Sequence, residues 1–69
     1  MMQWTRVDSS WISAVRLVPS GIEVKLLDGR SYLYHGAGER LYNELLRASS
    51  KGAFVTAHLK KRYPVTETY

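Results

Sequence analysis

Hydrophobic and polar positions change rhythm halfway along the chain. Residues 11–18, WISAVRLV, are rich in β-branched and apolar side chains and stop at Pro19-Ser20-Gly21, a turn signal. Residues 22–27 alternate: Ile22, Val24 and Leu26 face one way, Glu23 and Lys25 the other. Asp28-Gly29 then closes a hairpin, because both residues tolerate the left-handed backbone of a tight turn. Residues 30–35, RSYLYH, form the returning strand.

After the glycine-flanked stretch Gly36-Ala37-Gly38, read as a flexible strand-to-helix link, the period becomes helical. Between residues 39 and 48, Leu41, Tyr42, Leu45 and Leu46 make one apolar stripe. Arg40, Glu44 and Arg47 lie opposite, spaced for exposed ion pairs. Ser49-Ser50 breaks the run, and Ser50 suits the N-cap of a second helix over residues 52–62. There Phe54, Val55 and Leu59 point to the core, while Ala53, Ala57, Lys60 and Lys61 point away. Pro64 ends the helix, and residues 64–69 read as a short C-terminal tail. The fold class is α+β: a three-stranded antiparallel β-meander followed by two α-helices packed on one face of the sheet. At 69 residues the chain is one small domain, residues 1–69.

The length of the hairpin turn sets what Tyr32 and Tyr34 do. A two-residue turn places Tyr32 opposite Lys25 and Tyr34 opposite Glu23, on the polar face. That would be an exposed aromatic pair about 7 Å apart along the strand, the arrangement on which single-stranded bases stack. A three-residue loop with a glycine bulge shifts the register by one. Tyr32 then pairs with Val24 and Tyr34 with Ile22, and both rings join the core side. Asp28-Gly29 fits either turn.

Composition narrows the class. Hydrophobic residues make up 45% of the chain and aromatics 12%, enough for a packed core and against disorder. There is no cysteine, so no disulfide or thiolate zinc site staples a domain this small. No apolar run approaches the roughly 18 residues that span a bilayer, and MMQWTRVDSS lacks the apolar stretch of a signal peptide. The expectation is a cytoplasmic protein with no membrane partner.

The net charge of +4 is uneven: +1 over residues 1–35 and +3 over residues 36–69. Residues 47–62 carry Arg47, Lys51, Lys60, Lys61 and Arg62 with no acidic residue between them. Such a stretch suits nucleic acid or an acidic protein, although a solvated helix face looks the same in sequence. Catalytic patterns are lacking. His35 and Glu39 straddle the glycine link, and His58 has no ligand partners at zinc spacing. The paired serines, Ser9-Ser10 and Ser49-Ser50, read as caps and turns without a base to activate them. Gly36-Ala37-Gly38 lacks the Lys-Ser/Thr of a phosphate loop. The expectation is no enzyme, no metal and no cofactor.

The order of these features resembles the KTSC domain family, named for its place at the C-terminus of some lysyl-tRNA synthetases and found alone in short bacterial and phage proteins. The likeness runs from about residue 9 to 63. It is carried by Ser9-Ser10 with Ile12 and Val15, by alternating Ile22, Val24 and Leu26 before Gly29, and by the central Tyr32-Leu33-Tyr34. In the helical half it continues through Tyr42, Leu45, Leu46, Ala48, Ser50-Lys51-Gly52, Phe54, Leu59 and Tyr63. The chain departs from the family pattern at Leu26, where an aromatic is usual, at Ala37-Gly38, where Val-Pro is usual, and at Thr56, where Asn is usual. The resemblance implies that the tyrosines share the core-side face, with their hydroxyls as the functional atoms. It brings no established activity; RNA binding is suggested by association with a tRNA synthetase.

Two functions of different kinds follow. One is a binding module for RNA or single-stranded nucleic acid, with Lys51, Lys60, Lys61, Arg62 and Arg47 on phosphates and Tyr32 and Tyr34 stacking bases if exposed. The alternative is a protein-interaction module for an acidic partner, for example a phage or mobile-element protein that binds a host complex.

Overall fold

The central hairpin turns on three residues, not two. In the computed structural model, which describes residues 3–68, Leu27, Asp28 and Gly29 form the loop between β3 (Gly21–Leu26) and β4 (Ser31–His35). The Leu26 N–H donates to the Arg30 carbonyl at 2.7 Å, and the Gly29 N–H donates to the Leu26 carbonyl at 3.0 Å. Gly29 takes φ +95°, the left-handed region that closes such a loop with a bulge. Asp28 Oδ1 accepts from the Arg30 N–H at 3.0 Å and fixes the turn. The register follows: Val24 pairs with Tyr32, Ile22 with Tyr34, and Glu23 with Leu33. Both tyrosines therefore share the core-side face with Ile22 and Val24, and the exposed stacking pair of the two-residue turn does not form.

The sheet has five strands where the sequence pattern indicated three. Their order is β1 (Thr5–Arg6), β2 (Ile12–Val18), β3, β4 and β5 (Val65–Glu67), each antiparallel to its neighbour. The two additional strands span two and three residues, too few to show an alternation. Their positions come from long-range pairing: Thr5 opposite Val15, and Val65 opposite Tyr34. The stretch expected to be a C-terminal tail thus returns to the sheet. The His35 N–H donates to the Pro64 carbonyl at 2.9 Å, and the Thr68 N–H to the Ser31 carbonyl at 2.8 Å. Of the expected tail, Tyr69 lies outside the described residues, as do Met1 and Met2 at the other end. Edges this short offer little backbone to a second sheet.

The helices cover one face. Leu45 of α1 (Glu39–Arg47) is fully buried, with Leu41, Tyr42 and Leu46 packed around it. Arg40 and Glu44 form the expected exposed pair at 3.7 Å. The link before α1 is anchored rather than flexible: the Gly36 N–H donates to the Ser20 carbonyl at 2.8 Å, and Ala37 is buried. Ser50 caps α2 (Lys51–Phe54), its Oγ accepting from the Ala53 N–H at 3.2 Å.

The second helix is not regular to residue 62. After Phe54 it widens into a π-helical turn, Val55–Leu59, in which the Lys60 N–H reaches the Val55 carbonyl at 2.9 Å. The Thr56 hydroxyl donates to the Gly52 carbonyl at 3.0 Å, a back-bond that bends helices. An apolar stripe of Phe54, Val55 and Leu59 fits either winding, so the sequence pattern did not separate them. The core joins Ile12, Val15, Ile22, Val24 and Tyr34 of the sheet to Leu45, Val55 and Leu59 of the helices.

Candidate functional site

Three of the residues expected to bind a ligand meet at one groove on the helix side of the sheet. Tyr32 and Tyr34 project from β4, and Lys60 arrives from the turn after the π-helical segment. Trp11, Leu26, Val65 and Arg30 complete a lining that encloses about 340 Å³. A π turn winds more slowly than an α turn, so Lys60 faces the groove although an α-helical wheel turns it away. Trp11 is held where it is by Gly52: a Cβ there would overlap the Trp11 indole, so only glycine lets the helix and the ring approach. The sequence pattern did not single out Trp11, Arg30 or Val65. Arg30 was the most accessible of these, since two residues before Tyr32 on one strand share its face.

The two tyrosines differ. The Tyr32 hydroxyl accepts from Arg30 Nη1 at 3.2 Å, and the Arg30 guanidinium lies 5.9 Å from the Tyr32 ring centre. Arg30 in turn is bound to Asp28, Nε to Oδ2 at 2.9 Å. The Arg30 backbone N–H, reinforced by the guanidinium, holds the Asp28 carboxyl below its ordinary range. Tyr34 is only 4% exposed. Burial, with the neighbouring Tyr32, raises its pKa above the ordinary 10.0, so it keeps its proton at neutral pH.

The basic residues divide into three groups. Lys60, Lys61 and Arg62 are consecutive and exposed, and none makes an ion pair among the described residues. Arg47 is exposed at the end of α1 and does not line the groove. Lys51 has a structural bond: its Nζ donates to the Ala48 carbonyl at 2.6 Å, satisfying a backbone acceptor at the end of α1. Ser50-Lys51-Gly52 therefore shows three packing roles in a row: a cap, a tie to the preceding helix, and a close approach to Trp11.

The opposite face of the sheet is charged as well, but internally engaged. Arg16 Nε donates to Glu23 Oε1 at 2.7 Å, and the Thr68 hydroxyl donates to Oε2 of the same carboxylate at 2.7 Å. The Trp4 ring carries two cations, the Arg16 guanidinium at 4.2 Å and the Lys25 ammonium at 4.8 Å from its centre. His35 Nε2 is hydrogen-bonded to Thr66 Oγ1 at 2.8 Å, and the His58 ring packs 4.5 Å from Phe54. Among the described residues, no three His, Asp, Glu or Cys side chains gather where they could hold a metal ion. Among the described residues no helix is long and apolar enough to cross a membrane.

Comparison with known proteins identifies a family and a similar solved fold. The KTSC domain family model matches residues 8–63. The crystal structure of a KTSC domain protein from Yersinia pestis superposes with a TM-score of 0.87 at 28% identity, covering 100% of both chains. No curated protein sequence matches the chain.

Proposed function

The chain belongs to the KTSC domain family, and we propose that it serves as a non-catalytic binding module for RNA or other single-stranded nucleic acid. One observation carries this reading: Lys60, exposed and without an ion pair among the described residues, lines a groove that contains Tyr32, Tyr34 and Trp11, and Lys61 and Arg62, also exposed and unpaired there, follow it in the chain. Unpaired cations beside aromatic rings supply the two interactions a single strand uses, phosphate attraction and base contact. Arg47 extends the positive field from the neighbouring helix. Lys51 gives one of its three ammonium protons to the Ala48 carbonyl and keeps its charge and two donors for a phosphate. A cytoplasmic location suits this role.

The test is a mobility-shift series at low salt with tRNA and single-stranded oligonucleotides. The proposal expects complexes that weaken steeply with salt and are lost in the triple variant Lys60→Gln, Lys61→Gln, Arg62→Gln. Absence of any complex at low salt would remove it.

An acidic protein partner is the second reading. It is favoured by Val65, 49% exposed on the edge strand β5, which lines the same groove as Lys60. That reading expects a specific protein to be recovered by pull-down after nuclease treatment, and to be lost with Val65→Lys.

A further inference from the structure

We infer that the groove admits one unstacked nucleobase of the bound strand, with Tyr34 Oη hydrogen-bonding the base edge and Lys60 holding the adjoining phosphate. This inference rests on the nucleic-acid reading above and adds the site and its contacts.

Tyr34 is the first reason. Its residue surface is more than nine-tenths buried, yet no described protein group hydrogen-bonds its hydroxyl. Tyr32 and Tyr42 differ, since each phenol has a partner, Arg30 and Thr5 respectively. No sealed side-chain polar atom lacks a partner among the described residues. The Tyr34 oxygen therefore reaches solvent, and Tyr34 is one of the residues that line the groove. The Tyr34 hydroxyl thus keeps donor and acceptor capacity that no described protein group uses, on a ring fixed in the groove wall.

Shape and charge agree. About 340 Å³ lies at the small end of ligand sites, roughly 300–1,000 Å³, so it holds one planar ring system and not a folded peptide element. Trp11, Leu26 and Val65 give apolar walls to the faces of a base, and the Tyr34 hydroxyl can donate to or accept from its edge. Arg30 is already bound to Asp28 and Tyr32, and Glu67 stands opposite Tyr32 on β5. The uncompensated positive charge is therefore Lys60, on the helix side, backed by Lys61 and Arg62.

The experiment compares two octamers of equal charge, octauridylate and its fully abasic analogue, by fluorescence anisotropy at low salt. Both are titrated into the full chain and into Tyr34→Phe, which keeps the buried ring; an amide NMR spectrum verifies the fold. The wild type is expected to bind octauridylate about 5- to 150-fold more tightly than the abasic strand, the range of one base–aromatic contact. Tyr34→Phe is expected to lose several-fold of that preference and to leave abasic binding unchanged. Equal affinity for both strands in the wild type would overturn the base site and leave the nucleic-acid reading standing. A base preference that Tyr34→Phe leaves unchanged would also overturn it. Failure of both strands to bind, or NMR shifts at Trp11 and Val65 with an oligoglutamate peptide alone, would overturn the inference together with the reading beneath it.

Discussion

The two faces of the sheet both carry cations but treat them differently. On the helix-free face the charged side chains are engaged within the fold, by an ion pair or by an aromatic ring. Glu23 is 8% exposed and takes both Arg16 and Thr68, while Arg16 and Lys25 lie on Trp4. On the helix side the interior is apolar, and Lys60 at the groove, with Lys61 and Arg62 next to it in the chain, has no ion pair among the described residues. Net charge alone would rank the faces by how basic they are. The geometry ranks them by how much charge is still available to a partner, and that selects the end of the second helix.

The comparison breaks first if the apolar side is not the main source of stability. Leu45→Ala removes a fully buried side chain and is expected to cost about 2–5 kcal/mol, comparable to the whole stability of a domain this small. Urea titration monitored by tryptophan fluorescence measures it. On the other face, Glu23→Gln weakens the charge-assisted bond from Arg16 and is expected to cost about 1–3 kcal/mol by the same titration. A larger loss there than for Leu45→Ala would reverse the ranking.

Gly52→Ala sharpens the picture of the groove wall. Helix propensity alone would favour alanine by about 1 kcal/mol. Overlap with the Trp11 ring predicts the opposite sign, a loss of about 1–3 kcal/mol with a shifted tryptophan emission.

A smaller effect comes from pH. The Tyr34 pKa is raised in the folded chain, so the folded state holds this proton more tightly than the unfolded state does. The contribution is fully present below pH 10.0 and is lost as pH rises through the folded pKa. Thermal melts across that range are expected to show falling stability, and Tyr34→Phe is expected to flatten part of the fall.

Much of this was legible in the chain, and the exceptions have physical causes. Alternation at Ile22, Val24 and Leu26 marks β3, and the stripe through Leu41, Tyr42, Leu45 and Leu46 marks α1, because each spans enough residues to show a period. Thr5–Arg6 and Val65–Glu67 are strands only because distant partners pair with them, and no local period can reveal that. Asp28-Gly29 announces a turn without fixing its length, so the side taken by Tyr32 and Tyr34 depended on one residue of loop. The basic residues were visible, but not the separation of Lys51, tied to the Ala48 carbonyl, from Lys60, turned to the groove by a π winding. Trp11 joins the site through a glycine far along the chain, a contact that only folding makes.

The smallest expected effect on stability accompanies the largest on binding. Lys61→Gln with Arg62→Gln touches exposed side chains and is expected to change stability by no more than about 0.5 kcal/mol. The most direct test of the central claim is therefore the salt dependence of single-stranded RNA binding, measured for the wild type and this double variant. Three phosphate contacts predict a slope of log K against log salt of about −2, falling to about −0.7 when two cations are removed. No binding at low salt, or a slope that the double variant leaves unchanged, would contradict the account.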